Sequence, residues 1–278
     1  MTAVAIAGFA TIDYVARVEG DFTGRGTLMM RQGATDAWPR AGGAALFAGA
    51  AMARAGIAAA PLTWIGDDAD GEVYRQACRA AGVMLDAVAL MPGSPSTRCL
   101  LIYNADGTYG CLLRPGRTLL TERQQDLVAK TPWLVIAAGP PDIGRALLDA
   151  ISPATRLAWI AKDDPACFPP DLVARLVRRA DVVFCNAGER AWLEGAREEA
   201  ALASQLLFET RGADGVRVEA AGEAFDLPAA PLTVDDATGA GDTFAGAALA
   251  VLIEDGAPRE AALAGIAAAG ALLSGRRG

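Results

Sequence analysis

VDDATGAGDTFAGAAL, residues 234–249, narrows from an acidic pair to Gly239, Ala240, Gly241 and Asp242, then becomes small and apolar. From Thr243 onward Phe244, Ala247, Ala248 and Val251 recur at helical spacing. Glycine permits a tight backbone approach, and a helix beginning here leaves its first N–H groups without intrahelical partners. Those donors and the positive end of the helix dipole make an anion site. Asp242 stands beside that anion, where its own charge is repelled. General-base work is the economical reason for a carboxylate there. Taken alone, the stretch also reads as a strand-to-helix turn with an acidic first turn.

Composition narrows the chemistry. The 278 residues suffice for one large α/β domain, and a hydrophobic fraction of 53% is that of a globular chain. The net charge of −8 argues against a nucleic-acid partner. An anionic ligand then needs local positive potential from helix ends or a metal. There is no histidine, which excludes Ser-His-Asp and Cys-His nucleophiles and His-ligated zinc or haem. Acid–base work falls to Asp, Glu, Lys, Tyr or Cys. The five cysteines are odd in number and without CxxC spacing, as expected of reduced thiols in a cytoplasmic protein. The start of the chain has no basic region of a signal peptide. Ala41–Pro61 has the length of a membrane span, but Arg54 interrupts it and its Ala/Gly content is weakly apolar. A buried helix is expected there, and no membrane partner.

Along the chain, Ala3–Ala7 reads as a buried first strand, and Thr11–Glu19 and Gly24–Arg31 as half-exposed strands. Asp13 falls just past the first strand, where open α/β sheets line their ligand crevice. Gly42-Gly43 opens a helix over Ala41–Gly56. Leu62–Ile65 is a strand, Ala69–Gly82 a helix and Val83–Leu90 a strand. Thr97–Asn104 and Thr108–Arg114 flank Asn104-Ala105-Asp106-Gly107 as a hairpin. From Trp133 the alternation is regular. Strands are expected at Trp133–Ala137, Thr155–Ile160, Asp181–Cys185, Ser204–Glu209, Gly215–Ala220 and Glu223–Leu227. Helices are expected at Pro141–Ile151, Asp171–Arg179, from Asn186 on, at Gly241–Glu254 and at Ala257–Leu273. This rhythm implies a mostly parallel sheet with helices on both faces, and the two excursions a small separate sheet.

Two further motifs follow strand ends. In Asn186-Ala187-Gly188-Glu189 the pair Asn186/Glu189 can form a capping box, or hold a hydrated Mg2+ beside phosphates. Thr210-Arg211-Gly212-Ala213-Asp214-Gly215 can contact a nucleotide or be a turn. No GxxxxGK[ST] loop occurs, which excludes a P-loop kinase, and no GxGxxG follows the first strand.

In their order these pieces resemble the ribokinase-like (PfkB) family of sugar and nucleoside kinases. They are Gly8 through Asp13, Gly42-Gly43, Gly66-Asp67-Asp68-Ala69-Asp70-Gly71, the Asn186 and Thr210 motifs, and Asp236-Ala237-Thr238-Gly239-Ala240-Gly241-Asp242. The resemblance covers essentially the whole chain. It implies a three-layer α/β/α domain over residues 1–278 with a small β-sheet lid from about 11–31 and 97–114, often also the dimer interface. It implies an ATP- and Mg2+-dependent transfer of the γ-phosphate to a primary hydroxyl of a small sugar-like substrate. Asp242 would be the base, and the N–H groups of Gly239, Ala240, Gly241 and Asp242 the anion hole. Asn186 and Glu189 would position Mg2+ through water, Thr210, Gly212 and Gly215 would line the nucleotide, and Asp13, Gly42 and Gly43 would hold substrate hydroxyls. Arg98 after Thr97 resembles the Thr-Arg of phosphosugar kinases, or is an exposed hairpin arginine.

The chain departs from the family pattern at four places. Phe47 stands where an Asn is usual, Ala237 where a Thr is, and Gly265 where relatives offer a larger adenine-contacting side chain. The sequence ends at Gly278, about where relatives build a loop around a monovalent cation, so potassium activation is not carried over. A nucleoside kinase, favoured if Phe47 stacks on a base, and a nucleotide- or sugar-binding protein with decayed catalysis are the alternatives. A nicotinamide-dependent oxidoreductase is the remote third.

Overall fold

The computed structural model describes residues 3–31, 38–105, 108–198, 205–232 and 236–275. β1 (Val4–Ala7) leads into β2 (Thr11–Arg17), and β3 (Arg40–Gly42) runs into α1 (Ala44–Arg54). β4 (Ala59–Gly66), α2 (Ala69–Ala80) and β5 (Val88–Met91) follow, then the hairpin strands β6 (Arg98–Tyr103) and β7 (Tyr109–Arg114). After α3 (Glu122–Val128) come β8 (Trp133–Ile136), α4 (Pro141–Ala150), β9 (Arg156–Ile160) and α5 (Pro170–Arg179). The chain continues through β10 (Val182–Asn186), α6 (Ala187–Glu198), β11 (Leu206–Thr210), β12 (Val216–Ala220) and β13 (Glu223–Leu227). It closes with α7 (Ala240–Ile253) and α8 (Pro258–Ser274).

Nine strands form one sheet in the order β13-β12-β11-β10-β9-β8-β1-β4-β5, parallel from β11 to β5 and antiparallel at β12 and β13. β1, β4 and β8 are buried at every position because both faces are covered. Val4 and Ile6 face α1, α7 and α8, while Ala5 and Ala7 face the cluster that α3 to α6 complete. The result is a three-layer α/β/α fold. The second sheet, β3-β2-β6-β7, is built from the excursions. Among the described residues no helix is long and apolar enough to cross a membrane.

Several boundaries differ from the expectation. Gly24–Arg31 forms no strand: Gly24 and Gly26 take φ of 78° and 77°, which breaks an extended run, and a single bridge joins Val18 to Met30. Val83–Leu90 is a strand only from Val88, because Val83 and Met84 close α2 against Cys78 and Ala59 and a turn joins Leu85 to Val88. α3 was not expected. Its start is a capping box, Thr121 with Gln124. Ser204, Asp106, Gly107, Val234 and Asp235 lie outside the described residues.

α7 is seated by two contacts. Phe244 is buried edge-on against the stacked Phe184–Phe208 pair, with ring centroids 6.3 and 6.0 Å away. Burying such a ring is worth roughly 1.5–3 kcal/mol, and each ring pair about 0.5–1.5 kcal/mol more. Gly265 on α8 leaves room for it, since a Cβ there would meet Phe244 Cδ2 at 2.5 Å. On the other side Gly246 lies directly on α1, where an added Cβ would stand 2.6 Å from Ala48 Cα. Gly246→Ala should therefore destabilise the protein even though alanine gains about 1 kcal/mol of helix propensity. Overpacking against backbone costs about 1–3 kcal/mol. Denaturant unfolding of the variant checks the sign, and a rise in stability would show that the two helices separate freely.

Candidate active site

α7 starts at the Gly-Ala-Gly-Asp run, with Asp242 in its first turn. Gly239 takes φ 76°, the left-handed region that side chains avoid, and closes the turn that lets the helix begin at Ala240. The Ala240 N–H donates to the Ala237 carbonyl at 3.1 Å, so it is not available to an anion as expected. The N–H groups of Gly241 and Asp242 start the helix without intrahelical acceptors. The space around Gly241 is open: a Cβ there would meet nothing within 4 Å.

Phe47 packs onto this turn. A Cβ on Gly239 would fall 2.6–2.7 Å from its Cδ2, Cε2 and Cγ, so glycine is required at 239 for contact as well as for conformation. The Phe47 ring is half-buried and lies against the turn that opens α7. Gly42 and Gly43 precede the same helix. A Cβ on Gly42 would overlap the Asp13 carboxylate, and one on Gly43, at φ 93°, the Phe9 carbonyl. Asp13, on β2, is 3% exposed and lies opposite Arg40 on β3 and Cys99 on β6.

These carboxylates share one field. Burial pushes Asp242 up to about 6; the Lys162 ammonium opposes this and the Asp13 charge adds to it. Burial likewise raises Glu189 to about 7, with the Asn186 N–H and Lys162 opposing and Asp242 and Asp163 reinforcing. Burial works against the charge of Lys162, but Tyr109, Cys111, Asp242 and Asp164 outweigh it, and its pKa stands above the ordinary value. Lys162 is thus a charged ammonium among Asp242, Glu189 and the strand β7.

Asn186 and Glu189 form the capping box of α6: Glu189 N donates to Asn186 Oδ1 and Asn186 N to Glu189 Oε2, each at 2.8 Å. Asn186, Thr210, Gly212 and Asp214 line an open pocket of about 360 Å³. The Thr210 hydroxyl donates to the Cys185 carbonyl at 3.3 Å. Gly215 does not line this pocket; it packs against the backbone of Leu227–Ala229. Gly265 is explained by Phe244 rather than by a nucleotide. Arg98 is half exposed and its Nε pairs with Asp70 at the start of α2. Asp68 caps that helix at Gly71 and holds Ser96 through its N–H and hydroxyl, at 2.9 and 2.6 Å. The 66–71 motif thus anchors the approach to β6.

Sequence reading missed Lys162, Arg40 and Tyr103. Lys162 sits two residues beyond the end of β9, the positional rule that singled out Asp13, and was legible by it. Arg40 and Tyr103 carry no local signal. Their partners, Asp236 and Thr238, are far away in the chain.

The capping box gives a stability test free of any assumption about activity. Glu189→Gln keeps an acceptor oxygen and should hold the melting temperature. Glu189→Ala should lose the box, a cost of about 0.5–2 kcal/mol by analogy with other caps. Thermal unfolding of the pair decides, and equal melting temperatures would show that the box contributes nothing.

A family model described as pfkB family carbohydrate kinase matches residues 1–277. The chain is 28% identical over 240 residues to a fructokinase of Rhizobium leguminosarum bv. trifolii, covering 78% of this chain and 73% of that one. It is 30% identical over 259 residues to a 2-dehydro-3-deoxygluconokinase of Thermoproteus tenax, covering 82% and 77%. The crystal structure of ribokinase from Cryptococcus neoformans var. grubii serotype A in complex with ADP superposes with a TM-score of 0.78 at 24% identity, over 98% of this chain and 94% of that one. Methanocaldococcus jannaschii nucleoside kinase gives 0.80 at 15% identity, over 99% and 93%. The fold is ribokinase-like. The chain belongs to the pfkB family and is an ATP-dependent carbohydrate kinase.

Proposed function

We propose that this kinase transfers the γ-phosphate of ATP to a primary hydroxyl of a small sugar or sugar-like acceptor, with Asp242 as the general base. The observation that carries this reading is the place of Asp242. It stands at the start of α7, within the field of Asp13 on the acceptor side and of Glu189 on the nucleotide side. With its pKa raised to about 6, it is ionised at neutral pH and basic enough to take a hydroxyl proton.

In this reading ATP lies along the pocket of Asn186, Thr210 and Gly212, and the acceptor between Asp13 and Gly42-Gly43. The acceptor hydroxyl gives its proton to Asp242 while its oxygen bonds to the γ-phosphorus. The bond from that phosphorus to the β–γ bridging oxygen breaks, and ADP leaves. Charge on the moving phosphoryl group is met by the N–H groups of Gly241 and Asp242, the helix dipole and the Lys162 ammonium. Positioning and charge account for most of the catalysis in such transfers. Glu189 and Asn186, by way of water, suit Mg2+. The repulsion that Asp242 and Asp163 exert on Glu189 is what a divalent cation relieves, and Mg2+ uses few carboxylates alongside phosphate. When bound it supplies neutralisation of the phosphate charge.

The small sheet serves as a lid over the acceptor, and a homodimer forms through it. In support, Phe22, Met29, Met30, Tyr109, Leu112 and Leu113 are exposed in or beside that sheet, Leu112 by 61%, and β7 is its bare edge. The protein works in the cytoplasm, in keeping with its free thiols.

Asp242→Asn should lower turnover by about 10²–10⁴ with ATP affinity within a few-fold. An ADP-release assay over sugars, sugar acids and phosphosugars supplies the substrate, and half the wild-type kcat in the variant would overturn the assignment. For the wild type kcat/KM should fall as pH drops through about 6. The sign for stability is opposite. A carboxyl raised from 3.8 to about 6 in the folded state favours the fold when protonated, an advantage lost as pH rises through about 6. The Asn variant should therefore melt higher than wild type at pH 7 and equally below pH 3.8. For the dimer, Leu112→Glu should sediment as a monomer where wild type sediments as a dimer; a monomeric wild type ends that proposal.

A further inference from the structure

Two hydrogen bonds tie the small sheet to the turn that opens α7, and both come from strands flanking the strand of Asp13. From β3, Arg40 Nη1 donates to Asp236 Oδ2 at 2.6 Å. From β6, the Tyr103 hydroxyl meets Thr238 Oγ1 at 2.7 Å. Asp236 in turn accepts the Thr238 N–H on its other oxygen, Oδ1, at 3.0 Å. Thr238 is followed directly by Gly239, whose left-handed backbone sets the direction of the helix start.

The energetics of the Arg40–Asp236 pair do not favour it as mere scaffolding. Asp236 is 5% exposed, and its burial opposes its charge. The Arg40 guanidinium, together with the hydroxyl and N–H of Thr238, outweighs that and holds it below the usual carboxylate value. Arg40 Nε and Nη2 are buried with no hydrogen-bond partner among the described residues. A buried ion pair with unfilled donors is in general no more stable than an apolar replacement of the same volume. Its retention here is better explained by what Asp236 positions. Arg40 also lies opposite Asp13 in the β2–β3 register and two residues before Gly42-Gly43. One short strand thereby touches both the acceptor side and the anion-binding turn.

We propose that Arg40 is a positioning residue for phosphoryl transfer: its guanidinium fixes Asp236, and Asp236 fixes the Thr238–Gly239 turn that aims the N–H groups of Gly241 and Asp242. The inference rests on the reading of that turn as the phosphoryl site. The charge on the buried carboxylate is balanced from within the chain, by a group on the acceptor-side sheet. Any shift of that sheet away from α7 breaks both ties to the turn, because Arg40 and Tyr103 are the sheet's side of each.

The test is steady-state kinetics on Arg40→Ala, Arg40→Lys and Asp236→Asn, normalised to folded protein. Arg40→Ala should lose about 10- to 100-fold in kcat, the scale of a small misplacement of catalytic groups, with a lesser change in the KM for ATP. Arg40→Lys should recover part of the loss. Millimolar guanidinium ion should raise kcat of Arg40→Ala and leave wild type unchanged, since it supplies the missing charge and donors. The double variant Arg40→Ala/Asp236→Asn should be no slower than the worse single one. Wild-type kcat in Arg40→Ala would overturn the inference. So would a loss that guanidinium does not relieve and that adds to the effect of Asp236→Asn, which would mark a purely structural pair. Should Arg40→Ala not fold, Arg40→Lys and Asp236→Asn carry the same comparison. Asp242→Asn run alongside separates the two readings. If it keeps turnover, the phosphoryl site itself is misassigned. If it is inactive while Arg40→Ala is normal, only the role of Arg40 fails.

Discussion

The seat of α7 against α1 is the constraint on which this structure depends. Gly246 rests on Ala48 with no side chain between the two backbones, so the helices approach as closely as helices can. Phe244 locks the other side of α7 onto β10 and β11. Both helices begin at glycine pairs or near-pairs, and their close packing brings the two beginnings together. Phe47, on the first turn of α1, ends up against Gly239 at the start of α7. A wider spacing would separate Gly42-Gly43 from the Gly239–Gly241 turn. The small residues that make the helices look featureless in the sequence are the ones that permit the site.

What gathers at that point is electrostatically uncomfortable. Asp13 adds to the cost of ionising Asp242, Asp242 adds to that of Glu189, and the Lys162 ammonium opposes both. A fold selected for stability alone would not collect these groups in a partly dry crevice. A kinase has use for such groups, because acid–base work needs a carboxylate whose pKa stands near the working pH. Burial holds Asp242 near neutrality, where it both ionises and accepts a proton. The same burial that raises its pKa makes its charge a burden on the fold.

Much of the layout was legible because it depends on local pattern. Strands apolar at every position signal a sheet covered on both faces. Gly-Ala-Gly-Asp ahead of a small apolar run signals a helix start with open N–H groups. Asn186 and Glu189 were readable as a capping box from three-residue spacing alone, and so they stand. Where local pattern misled, a nearby backbone feature explains it. Gly24 and Gly26 interrupt what looked like a strand, and the last turn of α2 claims the residues from Val83.

The sequence by itself determined the class of fold, the order of its elements and the family, because each of these resides in short runs and their order. Tertiary structure alone decided that Ala240 gives its N–H to Ala237, that Phe47 supports the turn, and that Gly265 makes room for Phe244. It alone joined Arg40 to Asp236, 196 residues away. The physical reason is common to these cases. A side chain's role follows from what lies across from it, and no periodicity in the chain records which distant residue the packed helices and sheets will bring there.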